Sequence, residues 1–203
     1  MNMIEPKAGY HHGDLRAQLV EAVRGLIERD GPDDFSVAEA SRLAGVSSGA
    51  PYKHFKDRDA ILKAVALGGL QRLGERMAAA SDSRTYGTQE AIDAIGLAYV
   101  QFALDEPAIF RMMFGMKRKC GPDENLEATG MSAYSVLIGN VAAYRGLGAD
   151  DPIVQRDSHI LWTIVHGHAT LRIDGMAKAG TEATTDEELI MDAGRRVLAP
   201  LSS

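Results

Sequence analysis

Residues 47–58 read SSGAPYKHFKDR, a run of small, hydroxyl and basic side chains interleaved with aromatic rings. Such side chains make poor catalysts but good contacts to a nucleic acid. Ser48, Gly49 and Ala50 are small enough to let a backbone approach base edges and thymine methyls. Lys53 can reach a guanine or a phosphate. Tyr52, His54 and Arg58 suit phosphate oxygens. Between Ser41 and Lys63 stand five cations (Arg42, Lys53, Lys56, Arg58, Lys63) against Asp57 and Asp59, a local +3 in a chain whose net charge is −6. The acidic total argues against coating nucleic acid nonspecifically, while the local excess supplies what phosphate contact needs.

The other reactive side chains form no comparable set. His166 and His168 lie two apart and point to different faces of a helix. His159 and His166 share a face, but no carboxylate or thiol completes a ligand set, so neither metal nor cofactor is expected. Asp157 and His168 have no serine on a strained elbow to serve, and no phosphate loop is present, so an enzyme is not expected. Cys120, the single cysteine, cannot form an internal disulfide and reads as an incidental thiol in a reducing compartment.

Strand signals are nearly absent, and helical spacing dominates. Nine helices are predicted: about 15–29, 36–44, 48–55, 58–80, 89–105, 108–116, 126–145, 152–178 and 186–198. The first is capped by Asp14. The second opens with Ser36 and Glu39 at capping-box spacing, and Val37, Ala40, Leu43 and Ala44 form its inner face. Lys117–Asp123 reads as a loop. The fourth helix is long enough to leave one domain and enter the next, with Gly68-Gly69 softening it. The expected architecture is all-α: a three-helix DNA-binding domain over residues 1–62 and a helical ligand-binding and dimerisation domain over 63–203.

Helices two and three are joined by Ala44-Gly45-Val46, in which Gly45 can take positive φ and Val46 plugs the angle. This spacing writes a helix-turn-helix, whose second helix enters the major groove. Pro51 is a complication, because inside a helix it removes a hydrogen bond and biases Ala50 away from the α region. The reading helix should therefore start late or have a distorted first turn.

Aromatic and methionine side chains cluster in the middle of the chain. Most belong to a core, but Tyr99, Phe102, Phe110, Met113, Tyr134, Trp162 and His166 are expected to line a cavity for a small molecule. The last two long helices carry apolar stripes (Ile153, Ile160, Leu161, Ile164, Leu171; Leu189, Ile190, Val197, Leu198) suited to a four-helix bundle across a two-fold axis.

Ala44-Gly45-Val46-Ser47, Tyr52-Lys53-His54-Phe55 and Asp57-Arg58-Asp59-Ala60-Ile61-Leu62 together resemble the N-terminal domain of the TetR family of bacterial transcriptional regulators. The lead-in Tyr10-His11-His12-Gly13-Asp14-Leu15-Arg16 and the pattern Trp162…Val165-His166-Gly167 resemble one subgroup of it. The resemblance implies a homodimer that reads a palindromic double-stranded operator and in most cases represses until a small effector binds. It places base-reading positions on Ser48, Gly49, Ala50 and Lys53, and phosphate contacts on Ser36, Ser47, Tyr52, His54 and Arg58. The arm Lys7–His12 is a further candidate for DNA contact. No apolar run approaches a bilayer span and no secretory signal is apparent, so a cytoplasmic protein is expected. The competing reading is a small-molecule binding protein whose helix-turn-helix no longer functions.

Overall fold

A computed structural model describes residues 15–178 and 184–200. The expected Asp14 cap, the arm Lys7–His12 and the side chain of Cys120 lie outside the described residues. The chain divides into two compact units on either side of the Ile61–Leu62 bond. Among the described residues all regular structure is helical: α1 (Leu15–Asp30), α2 (Val37–Leu43), α3 (Arg58–Asp82), α4 (Gln89–Asp105), α5 (Pro107–Cys120), α6 (Glu124–Arg145), α7 (Pro152–Ile173) and α8 (Asp186–Val197), with short 3-10 turns at Pro51–Lys53 and Met176–Lys178.

In the first unit, α1 buries Leu19, Val23, Leu26 and Ile27, the 3.6-residue stripe its sequence carries. These meet Phe35, Ala40, Phe55 and Ile61, all buried. Ser36 caps α2, its Oγ accepting from the Glu39 amide at 3.3 Å. The Glu39 carboxylate turns away from the cap and accepts from Arg29 at 3.1 Å. Leu43, expected on the inner face of α2, is instead 53% exposed. Ser41 takes the buried position, with its hydroxyl donating to the Val37 carbonyl at 2.8 Å.

The second unit is built around α4, which packs on α5, α6, α7 and α8. Its small and apolar residues are buried on most sides, from Ala91 to Ala103. Capping follows the sequence: Thr88, Asp123, Asp151 and Thr185 accept from the first amides of α4, α6, α7 and α8. Gly175, at φ 71°, lies just beyond α7, which ends earlier than expected. Residues 117–120, expected as loop, continue α5, because the first break is Gly121 at φ 76°.

Gly69, expected to soften this helix, sits at a tight packing contact in α3. A Cβ there would meet Met113 Sδ at 2.6 Å and Ile109 Cγ2 at 2.8 Å, so the glycine lets α3 lie close against α5. Arg72 on α3 grips Glu106 at the α4–α5 junction through two bonds of 3.0 and 2.5 Å, and Glu106 is buried. Arg145 binds the buried Asp157 through Nε and Nη2 at 2.9 and 2.6 Å and also donates to the Val197 carbonyl, tying α6, α7 and the end of α8.

Candidate functional site

α2 ends in a Schellman turn. The Val46 amide donates to the Ser41 carbonyl at 2.9 Å and the Gly45 amide to the Arg42 carbonyl at 3.1 Å, with Gly45 at φ 69°. This reverses the chain into Ser47–Phe55. The expected third helix over 48–55 is not a regular α-helix. Ser47–Ala50 forms a turn closed by Ala50 N–H to Ser47 C=O at 3.0 Å, and Pro51–Lys53 is a 3-10 turn. The physical reason is Pro51: without an N–H it cannot donate to the Ser47 carbonyl, which takes the shorter-range bond instead. Ala50 nonetheless stays in the α region at φ −61°, ψ −39°.

Pro51 and Phe55 are buried and anchor the segment, with the Arg16 guanidinium over the Phe55 ring at 5.1 Å. Everything between them faces solvent: Tyr52 is 56% exposed, and Lys53 and His54 are exposed. Ser36, Ser47, Ser48 and Gly49 are exposed too, and Ala50 partly so. Arg58, expected at a phosphate, is engaged within its own unit. Its Nη2 donates to the Pro32 and Asp33 carbonyls, both at 2.8 Å, and its guanidinium lies 4.4 Å from the centre of the Phe35 ring. It holds the α1–α2 connection in place.

The second unit contains a cavity of about 320 Å³. Leu70, Leu73 and Met77 line it from α3, Tyr99 from α4, Phe114 from α5, Met131 and Tyr134 from α6, and His159 and Trp162 from α7. Of the side chains expected there, Tyr99, Tyr134 and Trp162 take part. Phe102, Phe110, Met113 and His166 do not line it: the first three are buried in the core, and His166 stands behind Tyr99. Sequence reasoning missed Phe114, Met131 and His159, whose partial exposure at the rim has no signature in composition.

Tyr99, Trp162 and His166 pack together, with the Tyr99 hydroxyl 2.8 Å from His166 Nδ1 and the Trp162 and His166 ring centres 5.6 Å apart. Burial pushes the Tyr99 pKa up and the His166 pKa down, so both are neutral. One of the two neutral groups donates that bond and the other accepts it. His168 is used separately, with Nε2 2.7 Å from Asp186 Oδ1. Among the described residues no three His, Cys, Asp or Glu side chains converge as metal ligands, and no helix is long and apolar enough to cross a membrane.

Comparison with known proteins agrees with both units. Residues 19–65 match the family described as bacterial regulatory proteins, tetR family, and residues 92–193 match the tetracyclin repressor-like C-terminal domain. A curated relative, the HTH-type transcriptional regulator BetI of Serratia proteamaculans, is 34% identical over 83 residues, covering 39% of this chain and 42% of that protein. The match thus spans under half the length of that relative. A solved protein of unknown function from Rhodococcus sp. RHA1 superposes with a TM-score of 0.79 at 29% identity, covering 95% of this chain and 97% of the other. The transcriptional regulator FadR of Bacillus subtilis, solved in complex with stearoyl-CoA, shares the fold with a TM-score of 0.68 at 13% identity, over 92% and 99% of the two chains. This chain belongs to the TetR family and is a DNA-binding transcriptional regulator, not an enzyme.

Proposed function

We propose that the protein is a homodimeric repressor that binds a palindromic operator and is released from it by a small effector. The observation that carries this is the exposed surface of residues 47–49 and 52–54, anchored by buried Pro51 and Phe55, whose outward side chains make no hydrogen bond or ion pair among the described residues. In this reading Ser48, Gly49, Ala50 and Lys53 meet base edges, while Ser36, Ser47, Tyr52 and His54 meet phosphates. Arg58 acts indirectly, by fixing the loop next to them. Two copies placed roughly 34–36 Å apart would enter successive major grooves.

The exposed stripe on α7 supports the dimer. Ile160 is 39% and Leu171 47% exposed, and Gly167 between them has nothing within 4 Å of its Cβ position. Leu161, Ile190 and Leu198, also expected at a subunit interface, are buried within the protomer and belong to its core. The cavity supports the effector, as does the solved FadR complex, which shows that a protein of this fold takes a small molecule. An occupant pressing on Leu70, Leu73 and Met77 acts on α3, the helix whose first turn belongs to the DNA-reading unit. It shifts the population only by its preference for one conformer over the other.

The test is titration of the protein onto duplexes from its own upstream region over a range of salt. Tight binding whose logarithm falls linearly with log salt supports the reading. Binding that does not distinguish those duplexes from scrambled ones, or no binding, rejects it.

A further inference from the structure

From the lining of the second unit's cavity we infer the effector's chemical class: a compact, uncharged, largely apolar molecule, ring-bearing or branched, with one polar group at the rim. This inference rests on the effector reading above and makes it specific. The cavity's volume, about 320 Å³, is near the lower end of the roughly 300–1,000 Å³ range of small-molecule sites. That suits one or two rings and leaves no room for a long chain with a nucleotide head.

Its wall is aliphatic on the α3 side and aromatic on the α6–α7 side. No described lining residue is an arginine, lysine, aspartate or glutamate. A charged occupant would lose hydration and meet no arginine, lysine, aspartate or glutamate among the described lining residues, which is a heavy cost where the wall is largely apolar. The ring faces are not an open cage for a cation either. Tyr134, His159 and His166 already pack about Trp162, with ring centres 5.9, 5.8 and 5.6 Å from its own.

The polar atoms at the wall also sort by availability. The Tyr99 hydroxyl is bound to His166, so it does not seek a ligand group. The Tyr134 hydroxyl is left, with its pKa raised by burial, so it is a neutral donor. Exposed His159 stands at the rim with Met131, which is 60% exposed. One acceptor on the ligand, facing Tyr134, completes the match.

The chain carries its own reporter, because Trp162 is its single tryptophan and lies in the cavity wall. The experiment titrates the full-length protein, without DNA, with three probes of nearly one shape: para-tert-butylbenzyl alcohol, para-tert-butylbenzoate and para-tert-butylbenzylammonium. Trp162 emission and calorimetry are read together. The alcohol should bind at least about tenfold more tightly than either ion, a difference of about 1.4 kcal/mol. Gly130 also lines the cavity, from α6, and Gly130→Phe should abolish the response. Its Cβ meets only Leu70 Cδ2, at 4.0 Å, so the ring can enter the cavity without displacing the backbone. Either ion binding as tightly as the alcohol, or no Trp162 response to any probe, overturns the inference on the unaltered protein alone. Undiminished binding by a folded Gly130→Phe overturns the location.

Because no DNA is present, the two readings fail separately. Alcohol binding by a protein that grips no duplex sinks the regulator and keeps the cavity's class. Operator release by charged compounds alone does the reverse.

Discussion

The Tyr99 hydroxyl on α4 lies 2.8 Å from Nδ1 of His166 on α7, and the ring of Trp162, one turn before His166, packs 5.6 Å from the imidazole. This accounts for a pattern that is only a string in the sequence. Trp162 and His166 are spaced i, i+4, so both rings fall on one face of α7, where Tyr99 meets the imidazole. Gly167, next in line, turns to solvent. Tyr99→Phe keeps the shape and removes the hydrogen bond, leaving the imidazole nitrogen without its partner. We expect a loss of about 1–3 kcal/mol in urea unfolding. A loss under about half a kcal/mol would mean the two groups do not depend on one another.

Asp93 gives the stability an unusual pH dependence. It is buried on α4 against Gly194, its Oδ1 has no hydrogen-bond partner, and burial raises its pKa to about 6. An unfolded aspartate ionises near pH 4, so the folded state is favoured at low pH and gives up that advantage as pH rises to about 6. Above that, the buried charge costs up to about 3 kcal/mol. Asp93→Asn should therefore raise Tm at pH 7.5 and raise it progressively less toward pH 4. His166 works in the opposite direction. Its folded pKa is depressed, so stability falls as pH drops through the unfolded value near 6.5. The Asp93→Asn protein exposes that second slope on its own. A gain equal at both pH values would contradict the account.

The elements were legible where the signal is local. The α1 stripe, the Ser36 cap and the Gly45 turn are each fixed by a few adjacent residues. What escaped depends on distant partners. Leu43 reads as core by period, yet no element among the described residues covers it. Gly69 reads as a hinge until Met113 and Ile109 are placed against it. Arg58 reads as a free cation until Pro32 and Asp33 bring their carbonyls to it. For the cavity, composition identified the right kind of side chain and three of the seven residues. The other four are aromatic or methionine core, or stand behind the wall, a difference of a few ångströms that spacing does not encode.

Tyr52 and Lys53 should separate affinity from specificity. Both leave the surface of one 3-10 turn, and neither supports the core. Tyr52→Ala should weaken binding to cognate and scrambled duplexes by similar factors, as a phosphate contact does. Lys53→Ala should relax preference at one base-pair position, by about 1–3 kcal/mol of discrimination if it reads a guanine. Gel shifts with single-base operator variants measure both. Unchanged affinity in both proteins would mean that the segment is not docked as proposed.

Gly167 offers a test of the subunit interface in which stability and assembly move in opposite directions. It is exposed in the middle of α7, on the face that carries Ile160 and Leu171, and nothing lies within 4 Å of its Cβ position. A side chain there is free of strain in the protomer, and replacing a mid-helix glycine with glutamate favours the helix by about 0.5–1 kcal/mol. Across a two-fold axis the same change sets two carboxylates against apolar surface at the closest helix approach. Gly167→Glu should therefore sediment as a monomer, retain or increase its helicity by circular dichroism, and lose operator affinity by more than about tenfold. A stable dimer from that variant would place the partner against some face other than this one.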